Sequence, residues 1–143
     1  MLEVREIYKT FNAGTVNEKR AINGVSLTLA DGDFVTVIGG NGAGKSTLLN
    51  LVAGVYGVDG GSILIDGNDV TRLPEYRRAQ YIGRVFQDPM MGTAASMQIE
   101  ENLALAARRG QTRTLRAGIT KAEREQYREL LKILDLGLED RLT

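Results

Sequence analysis

The sequence predicts an α/β fold built around a phosphate-binding loop, and three observations carry that expectation. The run Gly39-Gly40-Asn41-Gly42-Ala43-Gly44-Lys45-Ser46-Thr47 fits G-x-x-x-x-G-K-[ST] in full. Before it stands Phe34-Val35-Thr36-Val37-Ile38, a short β-rich apolar run suited to a buried strand; after it Leu48, Leu49, Leu51 and Val52 mark one face of a helix. Around this centre, period-two patterning upstream and helical patterning downstream predict an antiparallel β portion and then a helical portion.

The elements follow in order. Val25-Ser26-Leu27-Thr28-Leu29-Ala30 alternates apolar and small polar residues as a half-buried strand does, and Asp31-Gly32-Asp33 turns the chain toward Phe34. Leu2 to Tyr8 is its expected partner, with Asn12 to Arg20 a polar hairpin or loop between them. Ser62-Ile63-Leu64-Ile65-Asp66-Gly67 reads as a third strand, bounded by Asp59-Gly60-Gly61 and Asp66-Gly67-Asn68. Pro74 opens a short helix through Arg78, and Tyr81 to Phe86 reads as a strand ending at Gln87-Asp88-Pro89.

Beyond Ala95 the period becomes helical. Ile99 to Arg109 predicts a helix with Leu103, Ala106 and Ala107 inward. Thr120-Lys121-Ala122-Glu123 is a capping box, followed by Tyr127, Leu130, Leu131 and Leu134 at i, i+3, i+4, i+7, with Gly137 as the expected stop. That stripe reads as core packing rather than a partner groove.

Composition narrows the chemistry. At 143 residues and 43% hydrophobic content the chain suffices for one core, so one folding unit is expected. Its 18 basic and 18 acidic residues balance, leaving no overall field to recruit nucleic acid or an anionic membrane. With no cysteine and no histidine, thiolate or imidazole metal sites and Ser-His-Asp or Cys-His relays are excluded. No apolar run approaches the ~20 residues of a membrane span, and Met1 to Leu29 has no signal-peptide core, so the chain reads as cytosolic or peripheral to a membrane. Arg108, Arg109, Arg113, Arg116 and Lys121 form a locally basic stretch over 108–121. Lacking interleaved aromatics for base stacking, it reads as a solvated loop, with anionic lipid headgroups or a partner subunit as alternatives.

Each residue type in the glycine-rich loop has a physical task. Glycines let the backbone curl around phosphate oxygens, so that consecutive N–H groups and the positive end of the following helix point at the anion. In this motif Lys45 reaches the β- and γ-phosphates, the Ser46 hydroxyl ligates Mg²⁺, and Thr47 supports the α-phosphate side. A glycine-rich turn with a solvated lysine is the bland alternative. A dinucleotide fingerprint fits less well, because Gly40-Asn41-Gly42 is followed by Ala43-Gly44-Lys45 and the third glycine of G-x-G-x-x-G is missing.

Four features together resemble the ATP-binding cassette (ABC) family, and specifically the nucleotide-binding subunit of an ABC transporter. Gly39 to Thr47 resembles its Walker A sequence, departing at Gly40, where proline is common. Val85-Phe86-Gln87-Asp88-Pro89 resembles its Q-loop, whose glutamine helps ligate Mg²⁺, orients the attacking water and links nucleotide state to the membrane partner. Lys9-Thr10-Phe11 resembles its A-loop, which puts the ring of Phe11 on adenine. The β-rich start and the helical end resemble its antiparallel β subdomain and helical subdomain.

The resemblance therefore implies a P-loop NTPase fold of the α/β class, with ATP and Mg²⁺ as cofactors. It implies that Lys45 and Gln87 are catalytic, and that Phe11, Gly39, Asn41, Gly42, Ala43, Gly44, Lys45, Ser46 and Thr47 hold the nucleotide. Ser46 and Gln87 are the implied metal ligands. It further implies transmembrane permease subunits and a second ATPase subunit as partners, a place on the cytoplasmic face of the cell membrane, and no specific nucleic acid. Met90, Met91 and Met97 suit a groove that receives a permease helix, or fill a core gap.

The family's LSGGQ-type signature, Walker B strand, D-loop and switch histidine do not occur in the sequence. The chain is accordingly expected to be the N-terminal portion of a longer ATPase. It reads as a single incomplete domain over 1–143, with the β subdomain and P-loop core over about 1–94 and the helical part over about 95–143. Alone it is expected to bind Mg-nucleotide weakly and to turn it over negligibly. Soluble ABC ATPases of translation or DNA repair, a P-loop kinase or GTPase, and a noncatalytic nucleotide-binding module are the alternatives. Cargo and direction of transport belong, by the same resemblance, to other subunits.

Overall fold

A computed structural model describes residues 1–111 and 118–138. β1 (Leu2–Phe11) and β2 (Lys19–Leu29) form an antiparallel hairpin running from Phe11 opposite Lys19 to Leu2 opposite Leu29. β3 (Gly60–Ile65) pairs with the other edge of β1, and β4 (Asn68–Asp69) returns along β3. The described residues thus contain one antiparallel sheet of order β2-β1-β3-β4.

A bulge in β1 decides which side chains reach the core. Val4 and Ile7 are three residues apart, a spacing that strict alternation sends to opposite faces, yet both are buried. The register shifts between them in the pairing with β2, and Glu6 takes φ 45°. The Glu6 N–H, diverted from the ladder, donates to Ser26 Oγ at 2.9 Å. Opposite the bulge, Gly61 sits at φ 82°, where a Cβ would lie 2.3 Å from the Glu6 carbonyl oxygen and 2.4 Å from that of Arg5, so no other residue fits.

One face of the sheet carries the core. Val4, Ile7, Ile22, Ile63, Ile65 and Val70 pack with Leu51 of α1 (Lys45–Ala53), flanked by Leu48 and Val52. Full burial of Ile7, Leu51 or Ile63 stabilises by roughly 1.5–3 kcal/mol each. Leu49, which the sequence puts on the same face, is exposed. Nine residues make two and a half turns, and its position turns outward.

The C-terminal end of α1 is closed by a residue with no apolar character. Arg78, at the end of α2 (Glu75–Arg78), is 1% exposed. Its Nη1 donates to the carbonyl oxygens of Leu51 (2.7 Å) and Val52 (2.9 Å), its Nε to Leu73 O (2.8 Å) and its Nη2 to Thr71 O (2.9 Å). The cation thus satisfies carbonyls that a helix end leaves orphaned and sits at the negative pole of the helix dipole. Desolvation lowers the pKa of Arg78 from its ordinary value.

The chain divides into two compact units, Met1–Ile82 and Gly83–Thr143. In the second, α3 (Ile99–Ala107) and α4 (Lys121–Lys132) enclose a small core of Ala104, Tyr127 and Leu131, with Ile99, Leu103, Ile119 and Leu138 packed around it. Arg124 of α4 grips the buried Glu100 of α3 through two bonds, Nε to Oε2 at 2.5 Å and Nη2 to Oε1 at 2.7 Å. The guanidinium holds the Glu100 carboxyl below its ordinary range. Thr120 and Glu123 form the expected capping box, and a second box joins Gln98 to Glu101.

Several sequence expectations are corrected. The runs Phe34–Ile38 and Tyr81–Phe86 are not strands: neither has a ladder partner among the described residues, and Phe34 and Val85 are 94% and 98% exposed. A strand exists only through its neighbours, so β-propensity alone does not form one. In α3 the inward residues are Glu100 and Ala104, with Leu103 partly buried; Ala106 and Ala107 face solvent, and the helix ends at Ala107 rather than Arg109. In α4 only Tyr127 and Leu131 are buried, Leu130 and Leu134 being 55% exposed. The helix stops at Lys132, ahead of Gly137. The hairpin loop is shorter than read, since β1 extends to Phe11 and β2 begins at Lys19. Arg113 and Arg116 of the basic stretch lie outside the described residues; Arg108 pairs with Glu123 Oε1 at 3.0 Å and donates to the Gly118 carbonyl.

Candidate functional site

The phosphate-binding sequence folds as a loop that turns into a helix. Gly44 is the N-cap of α1 at φ 88°, and no side chain caps the helix. A Cβ at Gly44 would lie 2.8 Å from the Ala21 carbonyl oxygen and 3.2 Å from Ile22 Cδ1, so glycine is what seats the loop against β2. The first-turn N–H groups of Lys45, Ser46 and Thr47 lack the side-chain acceptor that a capped helix supplies. Together with the helix dipole, such groups make an anion site.

Lys45 faces this loop. Its Nζ donates to the carbonyl oxygens of Gly39 (2.5 Å) and Gly40 (2.8 Å), and among the described residues no carboxylate pairs with it. Ala43 N donates to Gly40 O at 3.3 Å, closing the turn through Asn41 and Gly42. Gly42 stands at φ 81°, the second left-handed glycine of the loop. Ser46 is exposed and Thr47 partly buried. An ammonium that bonds, among the described residues, to two neutral carbonyls, beside an uncapped helix start, fits a polyphosphate by charge and by donor count.

Phe11 is placed by the hairpin. It pairs with Lys19 of β2, two residues before the Ala21 carbonyl that touches Gly44, a step of about 7 Å along the strand. The ring is half-buried and meets Tyr56 edge-on, with centroids 5.3 Å apart and planes at 82°. Lys9 Nζ stands 5.6 Å from its centroid. Lys9 in turn pairs with Asp59 Oδ1 at 2.8 Å, while Asp59 Oδ2 accepts the Thr10 N–H at 2.6 Å. The Lys9 bond, then the Thr10 N–H, lowers the Asp59 pKa.

Gln87 lies in the second unit, exposed, just before the 3₁₀ turn Pro89–Met91. Next to it the Arg84 guanidinium stacks 4.5 Å from the Phe86 centroid, and Asp88 Oδ1 accepts the Met90 N–H at 2.9 Å. Met90, Met91 and Met97 are all exposed. Asn102 of α3 secures the segment leading into the helix: its Oδ1 accepts the Ala94 N–H, and its Nδ2 donates toward the carbonyls of Ala94, Met97 and Gln98.

The structure therefore gathers residues 39–47 into a loop and the first turn of α1, seated on β2, and places Phe11 on the strand paired with β2, all within the first unit. Sequence reasoning missed Tyr56, Asp59 and Arg78. Asp59 reads as the start of a glycine turn, and nothing in its neighbourhood announces a bond to Thr10, 49 residues away.

Similarity to known proteins agrees with this geometry. A family profile described as ABC transporter matches residues 22–142. A tyrosine transport ATP-binding protein of Clostridioides difficile is 40% identical over 116 residues, covering 81% of this chain and 46% of its own length. A spermidine/putrescine import ATP-binding protein of Haemophilus influenzae is 39% identical over 108 residues, covering 76% of this chain and 27% of its own. The chain thus spans half or less of the length of these relatives. A solved dimeric bacterial ABC transporter cassette superposes with a TM-score of 0.76 at 26% identity, over 100% of this chain and 60% of that one. The chain belongs to the ABC transporter family, whose ATP-binding cassettes it matches along its whole length.

Proposed function

We propose that this chain binds ATP with Mg²⁺ as part of the ATP-binding subunit of an ABC transporter, whose hydrolysis drives solute across a membrane. The observation that carries the reading is the uncapped start of α1, seated on β2 by Gly44 and faced by a Lys45 ammonium without a carboxylate partner among the described residues. Lys45 exchanges its two carbonyl partners for phosphate oxygens, a stronger, charge-assisted pairing. The N–H groups of the loop and first helical turn hold the remaining phosphate oxygens, and Phe11 offers a ring to adenine. Bound Mg²⁺ supplies neutralisation of the phosphate charge. Ser46 Oγ and the Gln87 side-chain oxygen are donors of the hard kind it takes, and Gln87 also orients water.

Two partners complete the proposal: permease subunits in the membrane and a second ATP-binding subunit, the latter supported by the dimeric state of the similar cassette. The exposed Met90 and Met91 suit an adaptable permease contact at the cytoplasmic face. No helix among the described residues is long and apolar enough to cross a membrane. The relatives are named for tyrosine and for polyamine transport, so what they share with this chain is nucleotide handling rather than cargo.

The test is a titration of the 143-residue chain with Mg-ATP, beside Lys45→Ala. Affinity abolished in a variant with unchanged circular dichroism supports the reading. Equal binding by a folded Lys45→Ala protein overturns it.

A further inference from the structure

The ring assigned to the base does not stand alone. Phe11 ends β1, where a free strand tip frays, yet this end of the strand is fastened by two residues of the segment after α1, Tyr56 on the ring itself and Asp59 on the three residues before it. Tyr56 meets it edge-on at 5.3 Å. Asp59 ties down Lys9 and Thr10, the two residues before it, by side-chain bonds of 2.8 and 2.6 Å. The Asp59 N–H donates to Tyr8 O at 2.9 Å, extending the attachment one residue further. Tyr56 itself is anchored to the helix that opens with the phosphate loop, through its N–H to Asn50 O at 3.4 Å and the neighbouring Val55 N–H to the same oxygen at 2.9 Å.

A stacking ring is useful only if its plane is set before the base arrives, because ordering it on binding subtracts from affinity. Lys9 stands over the Phe11 ring, so the plane that Tyr56 sets also decides where the remaining face points. We propose that Tyr56 is a positioning residue for adenine: its ring, nearly perpendicular to that of Phe11, fixes the plane of Phe11 and couples that plane to α1, so that base and phosphates are held at one spacing. The inference rests on the nucleotide-binding reading above. It adds a residue that acts through Phe11 and does not touch phosphate. The tyrosine hydroxyl has no part in it, since an edge-on pair needs only the ring.

Two probes separate the roles: Mg-ATP, and magnesium tripolyphosphate, which offers phosphates without a base. Both are titrated into the 143-residue chain and its variants, with denaturation followed on each. Tyr56→Leu, which keeps apolar bulk and removes the ring, is expected to weaken Mg-ATP by about two- to twelvefold and leave tripolyphosphate unchanged. Tyr56→Phe is expected to bind both as the parent does. The double variant with Phe11→Ala is expected to add nothing to Phe11→Ala alone. Equal loss of both probes in Tyr56→Leu would make Tyr56 a packing residue and overturn the proposal. So would unchanged Mg-ATP binding in Tyr56→Leu where Phe11→Ala loses it. A Lys45→Ala protein that binds both probes normally would instead overturn the nucleotide reading itself.

Discussion

The two units of this chain are held together by different physics. Met1–Ile82 has a sheet, a helix laid on it and a continuous apolar core running from Val4 to Val70; Gly83–Thr143 has two helices around Ala104, Tyr127 and Leu131. With so few apolar residues, the second unit relies on polar fastenings at its helix starts and between its helices: two capping boxes and the Glu100–Arg124 pair. Stability from apolar burial does not titrate, whereas stability from carboxylates does. The part with the larger apolar core carries the phosphate loop; the part with the smaller core carries Gln87 and the exposed methionines. A site that must hold four or more donors in fixed positions belongs on the former.

The contrast breaks most visibly at Arg78. Replacing it by leucine leaves four carbonyl bonds unmade in a buried place, and the first unit is expected to lose roughly 3–5 kcal/mol while α3 and α4 keep their protection. Residue-resolved hydrogen exchange reads both units at once, and a uniform loss across the chain would deny that they are separate. Lys45→Ala comes next. It is expected to cost roughly 2–3 kcal/mol in Mg-ATP binding and almost nothing in folding, because Nζ bonds, among the described residues, to loop carbonyls that water can serve. Calorimetric titration beside thermal melting distinguishes the two quantities. Phe11→Ala is expected to weaken adenine nucleotides by roughly 1–3 kcal/mol, the scale of one aromatic–base stack, and to leave tripolyphosphate alone. A matching loss for tripolyphosphate would make the ring structural.

The smallest expected effect sharpens the comparison through pH. Thr120 N–H and then Arg108 hold the Glu123 carboxyl down to about 2, from an ordinary 4.5. A depressed carboxylate adds stability that is complete above 4.5 and disappears as pH falls toward 2, because the unfolded chain takes up the proton first. Glu100, lowered by Arg124, acts in the same direction. The first unit has depressed carboxylates of its own, Asp59 and Asp69, but a larger apolar core that does not titrate, so the second unit should loosen in acid before the first, and Glu123→Gln should flatten its acid limb. Thr120→Ala should cost α4 about 1 kcal/mol at neutral pH. Exchange rates of α4 amides against pH measure both effects, and simultaneous acid opening of the two units would count against the distinction.

Local chemistry was legible in the sequence because its signals lie within a few residues of what they specify. The phosphate loop and the start of α1 follow from Gly39 to Thr47, and the start of α4 follows from Thr120 and Glu123, three positions apart. Period-two patterning located β2, the bounding glycine turns located β3, and β1 was read as the partner of β2, all from short stretches of sequence. Family membership rode on the same short stretches. What the sequence left undetermined involves a partner far along the chain. The bulge at Glu6 brings Ile7 inward only because Ser26 and Gly61 receive it across two strands. Phe34–Ile38 has the composition of a strand and no ladder among the described residues, because propensity supplies no hydrogen-bond partner. Arg78 looks like any surface arginine until the carbonyls of Leu51 and Val52 surround it. Tyr56 gains its proposed role only where the tertiary fold lays it against Phe11, 45 residues away, and distances of that kind are decided by packing.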